Sequence, residues 1–302
     1  MRRSGFLVAV GSLSLLFFVS RSESAPAAAP AKAPKVVNDG HGDYLYVPAG
    51  PFKMGDNFGD GLPRERPVHS VELDAFYIGK FETTNGQWRK FREDAGYDDP
   101  KFWPDGRIAP KDQIPYWTQA NNHGGATPNS DDFPVLGVNW DSAMAYCNWV
   151  SAKTGKKYHL PTEAEWEKAA RGTDQRRYPW GNEIDHSYAN YVGSSPFDTG
   201  MKVGTFDGAD HGSLKTRNGA SPYGAYDMAG NVMEWCADWY NRDYYSVSPK
   251  KNPKGPATGA YRVVRGGSFF VEALDLRSYG RSAAWPSFQS HRMIGFRVAR
   301  EP

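Results

Sequence analysis

Cysteine is scarce in this sequence of 302 residues: Cys147 and Cys236 are the only two. Neither belongs to a CxxC motif, and no cysteine and histidine spacing typical of zinc is present, which excludes a structural zinc site. Both lie among aromatic and apolar residues, which predicts two buried free thiols. In an exported protein the same pair could instead form a disulfide.

The common catalytic motifs are also missing. There is no HExxH, no P-loop, no GxSxG and no dinucleotide-binding fingerprint, and the seven histidines include no i,i+4 pair. The formal net charge is only +2, and nothing in the charge pattern predicts binding to nucleic acid or to a membrane surface.

Only one long apolar run exists, at residues 5–20, behind the basic pair Arg2-Arg3. It is short for a membrane span and is followed by Ser22 and Ser24, small residues at the −3 and −1 positions of a cleavage site. We therefore expect residues 1–24 to be a cleaved signal peptide, used by the Sec or the twin-arginine route, with no membrane span after processing. An uncleaved anchor is the alternative.

What the chain has in quantity is Gly (32), Pro (22) and aromatic residues, with Trp 10, Tyr 17 and Phe 16. This composition predicts a loop-rich fold held together by aromatic burial. Residues 25–43 are rich in Ala and Pro and predict a linker, so we expect a single folded domain over residues 44–302.

Periodicity predicts helices over residues 83–96, 140–155 and 160–172, the last with a capping box of Thr162 and Glu165. Residues 44–55, 68–82, 261–270 and 294–300 are strand candidates. Glu163 and Glu167 share one face of the third helix, and a solvated face is the expected explanation.

Residues 227–235, DMAGNVMEW, combine oxygen ligands with a turn. Asp227 and Glu234 are hard anionic ligands, Gly230 permits a sharp turn, and the carbonyls of Gly230 and Val232 could complete a calcium site. A turn satisfied by its own hydrogen bonds explains the same residues.

Glu272 follows three apolar residues in a segment predicted to run from strand into loop. A carboxylate beside aromatic side chains can acquire a raised pKa and act as a general acid or base. An exposed loop glutamate is the alternative.

Together these segments resemble the formylglycine-generating-enzyme (sulfatase-modifying factor) family. The resemblance covers roughly residues 44–300 and rests on ordered motifs: VPAGPFKMGD, ERPVHSVELDAFYIGKFETTNGQW, PVLGVNWDSAMAYCNW, LPTEAEWEKAARG, YPWGN, SPYGAYDMAGNVMEWCADWY, RVVRGGSFF, RSAAW and IGFRVAR. It implies an α+β fold related to the C-type lectins, loop-rich with little regular secondary structure.

The resemblance also implies structural Ca²⁺. One family site maps onto Asp227, Gly230, Val232 and Glu234. The other maps onto Asn190 and the carbonyl of Tyr191, with Asp198 in a shortened segment as a further ligand.

The copper-binding cysteines of the family map onto Val271 and Leu276. These side chains cannot bind Cu(I), so no copper is expected and formylglycine formation by that mechanism is excluded. The iron-binding helical domain of the ergothioneine-type branch is missing as well.

Within the family, the sequence is most similar to a periplasmic branch that matures the siderophore pyoverdine. This implies an oxidoreductase that converts the dihydropyoverdine chromophore precursor to the dihydroxyquinoline chromophore, with Glu272 as catalytic residue. Ser268, Arg277, Arg281 and Trp285 are candidate substrate-binding residues, although salt bridges explain the two arginines equally well. The expected partners are the peptide siderophore precursor and other periplasmic maturation proteins. The alternative is a non-catalytic module that binds the precursor or those proteins.

Overall fold

The computed structural model describes residues 36–111, 130–194, 199–286 and 293–302. Its α-helices are α1 (Asn85–Glu93), α2 (Trp140–Thr154) and α3 (Glu163–Arg171), at the three predicted places. Its strands are β1 (Val36–Asn38), β2 (Asp43–Val47), β3 (Gly50–Met54), β4 (His69–Leu73), β5 (Phe76–Gly79), β6 (Tyr158–His159), β7 (Asp210–His211), β8 (Leu214–Lys215), β9 (Met233–Trp239), β10 (Arg262–Arg265), β11 (Ser282–Ala284), β12 (Ile294–Gly295) and β13 (Ala299–Arg300).

The helix ends are set by local hydrogen bonds. The predicted capping box of α3 is confirmed: Thr162 Oγ1 accepts from the Glu165 amide (3.2 Å), and Glu165 Oε2 accepts from the Thr162 amide (2.8 Å). Thr84 and Gln87 form an equivalent box at α1. Such boxes satisfy amide groups that the first helical turn leaves without partners.

Two sheets organise the strands. One has five strands in the order β1-β2-β5-β13-β6, and the other has four in the order β11-β10-β9-β12; β3-β4 and β7-β8 are separate hairpins. The predicted strand over 44–55 is two strands because β2 pairs with β5 whereas β3 pairs with β4. Strand β1 pairs with β2, so part of the segment 25–43, which the sequence assigned to a linker, is a β-strand. Its backbone completes the edge of β2.

Alternation along the strands fills two hydrophobic cores. On β2, Tyr44 packs into an aromatic core with α1 and α2, whereas Leu45 packs into a second core against α3. On β9, Trp235 and Cys236 divide between the same two cores. Both sheets are therefore buried on both faces, which explains how so little regular structure encloses so many aromatic side chains.

Cys147 and Cys236 are buried free thiols, and burial raises the pKa of both. The described residues all belong to one compact unit of mixed α and β structure, in agreement with the predicted fold class. Among the helices described, none has the length and apolar character that crossing a bilayer requires.

Candidate functional site

The segment between β10 and β11 leaves the sheet through two glycines in the left-handed region, Gly266 (φ 91°) and Gly267 (φ 70°). A Cβ atom added to Gly267 would lie 2.9 Å from Leu276 Cδ1 and 3.2 Å from Val271 Cγ2. Glycine is therefore needed here, and the side chains of Val271 and Leu276 converge on the same point.

These two converging side chains stand at the positions that the family resemblance assigns to the copper-binding cysteines. Leu276 is buried with Tyr178 and Tyr191 in an apolar cluster, and Val271 packs against that cluster. Aliphatic side chains have no lone pairs to offer a metal, whereas Cu(I) requires soft sulfur ligands. The residues present do not fit copper, and the positions now contribute hydrophobic packing.

Glu272 lies between Val271 and Ala273, which turn inward to the cluster, and it is itself exposed. Phe270 and Leu274 on either side are 48% and 60% exposed. The burial among aromatic side chains on which the sequence argument depended is therefore absent. Glu272 instead lies between two exposed apolar side chains, and this short segment is called here the apolar surface Phe270–Leu274.

An aromatic wall packs beneath this surface. Trp180 stacks on Tyr178 (5.7 Å between ring centroids, 8° between planes) and on Tyr188 (5.0 Å, 5°). Burial raises the pKa of Tyr191, and the charges of Asp185 and then Glu272 raise it further. The arrangement offers planar groups near a carboxylate.

Two of the predicted substrate-binding residues are internal. Ser268 is fully buried, and its Oγ accepts from the Phe270 amide at 3.3 Å, which stabilises the turn. Arg277 is buried and donates from Nη1 to the Asp60 carbonyl (2.8 Å) and to Asp60 Oδ1 (3.2 Å). Both side chains therefore stabilise the segment Gly266–Arg281 from the protein interior.

Arg281 has the salt-bridge role that the sequence left open. It donates to both carboxylate oxygens of Glu163, at 2.6 and 2.8 Å, and both side chains are buried. Glu167, also buried, pairs with Arg265 at 2.6 Å. The solvated face predicted for Glu163 and Glu167 is therefore wrong. These arginines offset the cost of burying the two carboxylates.

The charge pattern could have revealed this network, because arginines outnumber acidic residues after residue 260.

Trp285, the remaining substrate-binding candidate, is 57% exposed and contacts Tyr261 edge to face at 5.6 Å. It is the one member of that set with a side chain open to a ligand.

The candidate calcium site at Asn190 contains a hydrogen-bond acceptor without a partner. Asn190 is buried, and its Nδ2 donates to the Thr199 carbonyl (2.9 Å) and to Asn231 Oδ1 (3.2 Å). Within the described ranges, Asn190 Oδ1 and Thr199 Oγ1 are buried and have no hydrogen-bond partner. Oxygen atoms left in this way fit a hard cation. Asp198 lies outside the described residues.

In the candidate calcium site at Asp227 and Glu234, Glu234 is already paired with an arginine. Both carboxylate oxygens of Glu234 accept from Arg297, at 2.6 and 2.7 Å, and Trp166 Nε1 donates to one of them at 2.7 Å. Asp227 Oδ2 accepts from the Gly204 amide at 2.6 Å.

A third carboxylate, that of Glu82, is buried close to Asp227 and Glu234. Burial raises its pKa well above the usual range, and the charges of those two neighbours raise it further. Burial likewise raises the pKa of Asp227 to about 6. Over the described part of the chain, no three histidine, cysteine or acidic side chains are arranged to bind a metal ion together.

The model of the sulfatase-modifying factor enzyme 1-like domain matches residues 29–302. The chain belongs to this family. It is 33% identical to the formylglycine-generating enzyme of Thermomonospora curvata over 90% of this chain and 97% of that protein. It is 34% identical to the Streptomyces coelicolor enzyme, over 91% of this chain and 95% of that protein.

Among solved structures, the fold is similar to PvdO from Pseudomonas aeruginosa. The TM-score is 0.68 at 26% identity, with 90% of this chain and 100% of that chain covered. The chain is therefore a PvdO-like member of the formylglycine-generating-enzyme family.

Proposed function

We propose that this protein is a periplasmic oxidoreductase of pyoverdine maturation, which oxidises the dihydropyoverdine chromophore precursor to the dihydroxyquinoline chromophore. The observation that carries the proposal is the pair Val271 and Leu276. With no thiolate at either position, the parent copper chemistry is excluded while the surrounding fold is retained. The similarity to PvdO supports a siderophore precursor as substrate.

The proposed chemistry removes two hydrogens from an electron-rich catechol ring system. Glu272 accepts a proton, which makes the ring easier to oxidise, and the flat ring lies against the exposed apolar surface Phe270–Leu274. Two electrons and two protons pass in total to dioxygen, which becomes hydrogen peroxide. Because Glu272 is exposed in the free protein, the bound substrate itself supplies the apolar cover.

The test is incubation of the purified protein with the dihydro precursor, with and without oxygen, followed by mass spectrometry for the loss of two hydrogens. Glu272→Gln should reduce the rate about 10²- to 10⁴-fold, the usual contribution of a general base. Asp275→Asn is the matched control, because Asp275 is exposed in the same turn. Equal rates for Glu272→Gln and the parent protein would exclude the base.

A non-catalytic binding or assembly module is the second candidate. The exposure of Phe270 and Leu274 beside Glu272 favours it, since exposed apolar side chains often mark contact sites. It predicts tight binding of the precursor without oxidation, and cells carrying Glu272→Gln that still complete the chromophore.

We further propose that Ca²⁺ binds at Asn190 and the Tyr191 carbonyl, with Thr199 Oγ1 nearby, because these buried oxygens include two without partners. A ligand present at 100 times its Kd stabilises the folded state by about 2.7 kcal/mol. Chelation should therefore lower Tm, and Asn190→Ala should abolish that response while Asn241→Ala, an exposed control, keeps it. A Tm unaffected by chelation and by added Ca²⁺ argues against the site. At the Asp227–Glu234 set, a cation would have to share Glu234 with Arg297.

Periplasmic location and processing before Ala25 belong to the same proposal. N-terminal sequencing of protein from the periplasmic fraction tests both, since a chain that still starts at Met1 would contradict cleavage. The proposed partners are the peptide siderophore precursor and other periplasmic maturation proteins.

A further inference from the structure

A cavity of about 810 Å³ opens between α2, β6 and the turn between β4 and β5. It shares no residue with the segment Gly266–Arg281 that carries the proposed activity. Its volume is within the range of small-molecule sites, about 300–1,000 Å³. One wall is apolar and includes Phe76, Met144 and Leu160.

Each acidic side chain of the cavity wall already has a partner. Asp74 accepts from Asn252 Nδ2 at 2.7 Å. Glu165 caps α3 and lies 3.3 Å from His159 Nε2. The third, Glu301, pairs with Lys157 at 3.1 Å. The carboxylates of the wall are thus neutralised or hydrogen-bonded within the protein.

Two cations of the wall, Lys254 and Arg262, form no ion pair with a carboxylate within the described parts of the chain. Arg262 is held between the rings of Trp140 and Trp239, 3.5 Å from each centroid, and its Nη1 donates to the Ala237 carbonyl at 2.7 Å. Burial lowers the pKa of Arg262 to about 10 although the charges of Asp141 and Asp238 act in the opposite direction, so it remains charged at neutral pH. Stacking fixes its position without neutralising it.

We propose that this cavity is a second ligand site, which binds a small carboxylate with an apolar tail. The carboxylate lies against Arg262 and Lys254, and the tail covers Phe76, Met144 and Leu160. An inorganic anion would leave the apolar wall uncovered, and a neutral apolar molecule would make no ion pair with either cation. The combination therefore selects an amphipathic anion.

Titration calorimetry with octanoate, and with octan-1-ol as its neutral analogue, tests the proposal on the purified full-length protein. Octanoate should bind at one site and octan-1-ol about tenfold more weakly, as expected for loss of one charge-assisted hydrogen bond. Lys254→Gln and Arg262→Met should each weaken octanoate binding by a similar factor. Lys250→Gln is the matched control, because Lys250 is exposed outside the cavity.

A third variant keeps the test informative if Arg262→Met fails to fold. Met144→Trp places a bulkier side chain in the apolar wall and retains both cations, so it should weaken octanoate binding. Equal affinity for octanoate and octan-1-ol would overturn the proposal. So would parent-like binding by both Lys254→Gln and Met144→Trp, or no saturable heat at millimolar octanoate.

Discussion

Arg297 faces three buried carboxylates, those of Glu82, Asp227 and Glu234. Its replacement tests how much these buried charges depend on it for stability. It donates twice to Glu234 and once each to the carbonyls of Gly79 (3.0 Å) and Tyr226 (2.9 Å). Arg297→Met keeps much of the side-chain volume and removes all four hydrogen bonds. We therefore expect a large loss of stability.

Breaking a buried ion pair by removing one partner costs about 3–5 kcal/mol of unfolding free energy, because the other charge stays buried. For a domain of this size that corresponds to a decrease in Tm of roughly 10 °C. Denaturant unfolding at pH 7.5 in the presence of chelator measures the change without any contribution from bound cations.

Two variants control this experiment. Arg297→Met combined with Glu234→Gln removes both charges and should recover a substantial part of the loss, whereas Arg107→Met, in an exposed ion pair with Asp105, should change stability by less than about 1 kcal/mol. If Arg297→Met lies within 1 kcal/mol of the parent, or the double variant is less stable than the single one, the reasoning about buried charge is refuted.

Two further substitutions test local features. Burial alone would lower the pKa of His159, but the hydrogen bond and charge of Glu165 outweigh it and raise the pKa above 6.5. The stability that this pair contributes is complete below pH 6.5 and is lost as pH rises through the folded-state pKa of His159. Unfolding curves should therefore show that His159→Gln lowers the free energy of unfolding by less than about 1 kcal/mol, and that this loss shrinks from pH 5.5 to pH 8.5. A loss that does not depend on pH contradicts the assignment. Gly230 has φ 83°, and an added Cβ would lie 2.4 Å from the Asn190 carbonyl oxygen, whereas Gly212 has φ 66° with nothing within 4 Å. Gly230→Ala should therefore lower Tm more than Gly212→Ala does, because Gly212→Ala adds only backbone strain of about 1 kcal/mol. Equal melting temperatures would show that the backbone at residue 230 shifts to accommodate the added Cβ atom.

Local signals predicted the helices well. Thr162 with Glu165 located the start of α3, and the predicted ranges of α2 and α3 end at Gly155 and Gly172, which are the observed C-caps, because capping depends on residues within one turn. The strands were harder. The break between β2 and β3 depends on which distant strand each one pairs with, and no local pattern records that choice.

The candidate site likewise combines features that the sequence predicts with features that depend on tertiary packing. Loss of the thiolates at Val271 and Leu276 is a statement about residue type, and the sequence suffices for it. The exposure of Glu272 and the burial of Arg281 depend on packing against distant segments, including Glu163, which is 118 residues away in the chain. Charge alone could not tell a ligand-binding arginine from a structural one.

The sequence by itself determined the family, the places of the three helices and the lack of a thiolate at residues 271 and 276, since each depends on residue identity or on spacing within a turn. Only the tertiary structure decided which charges are buried together, that Glu272 faces solvent, and that Lys254 and Arg262 line the same cavity. Burial and charge pairing are properties of long-range contacts, and a one-dimensional pattern does not specify which segments will meet.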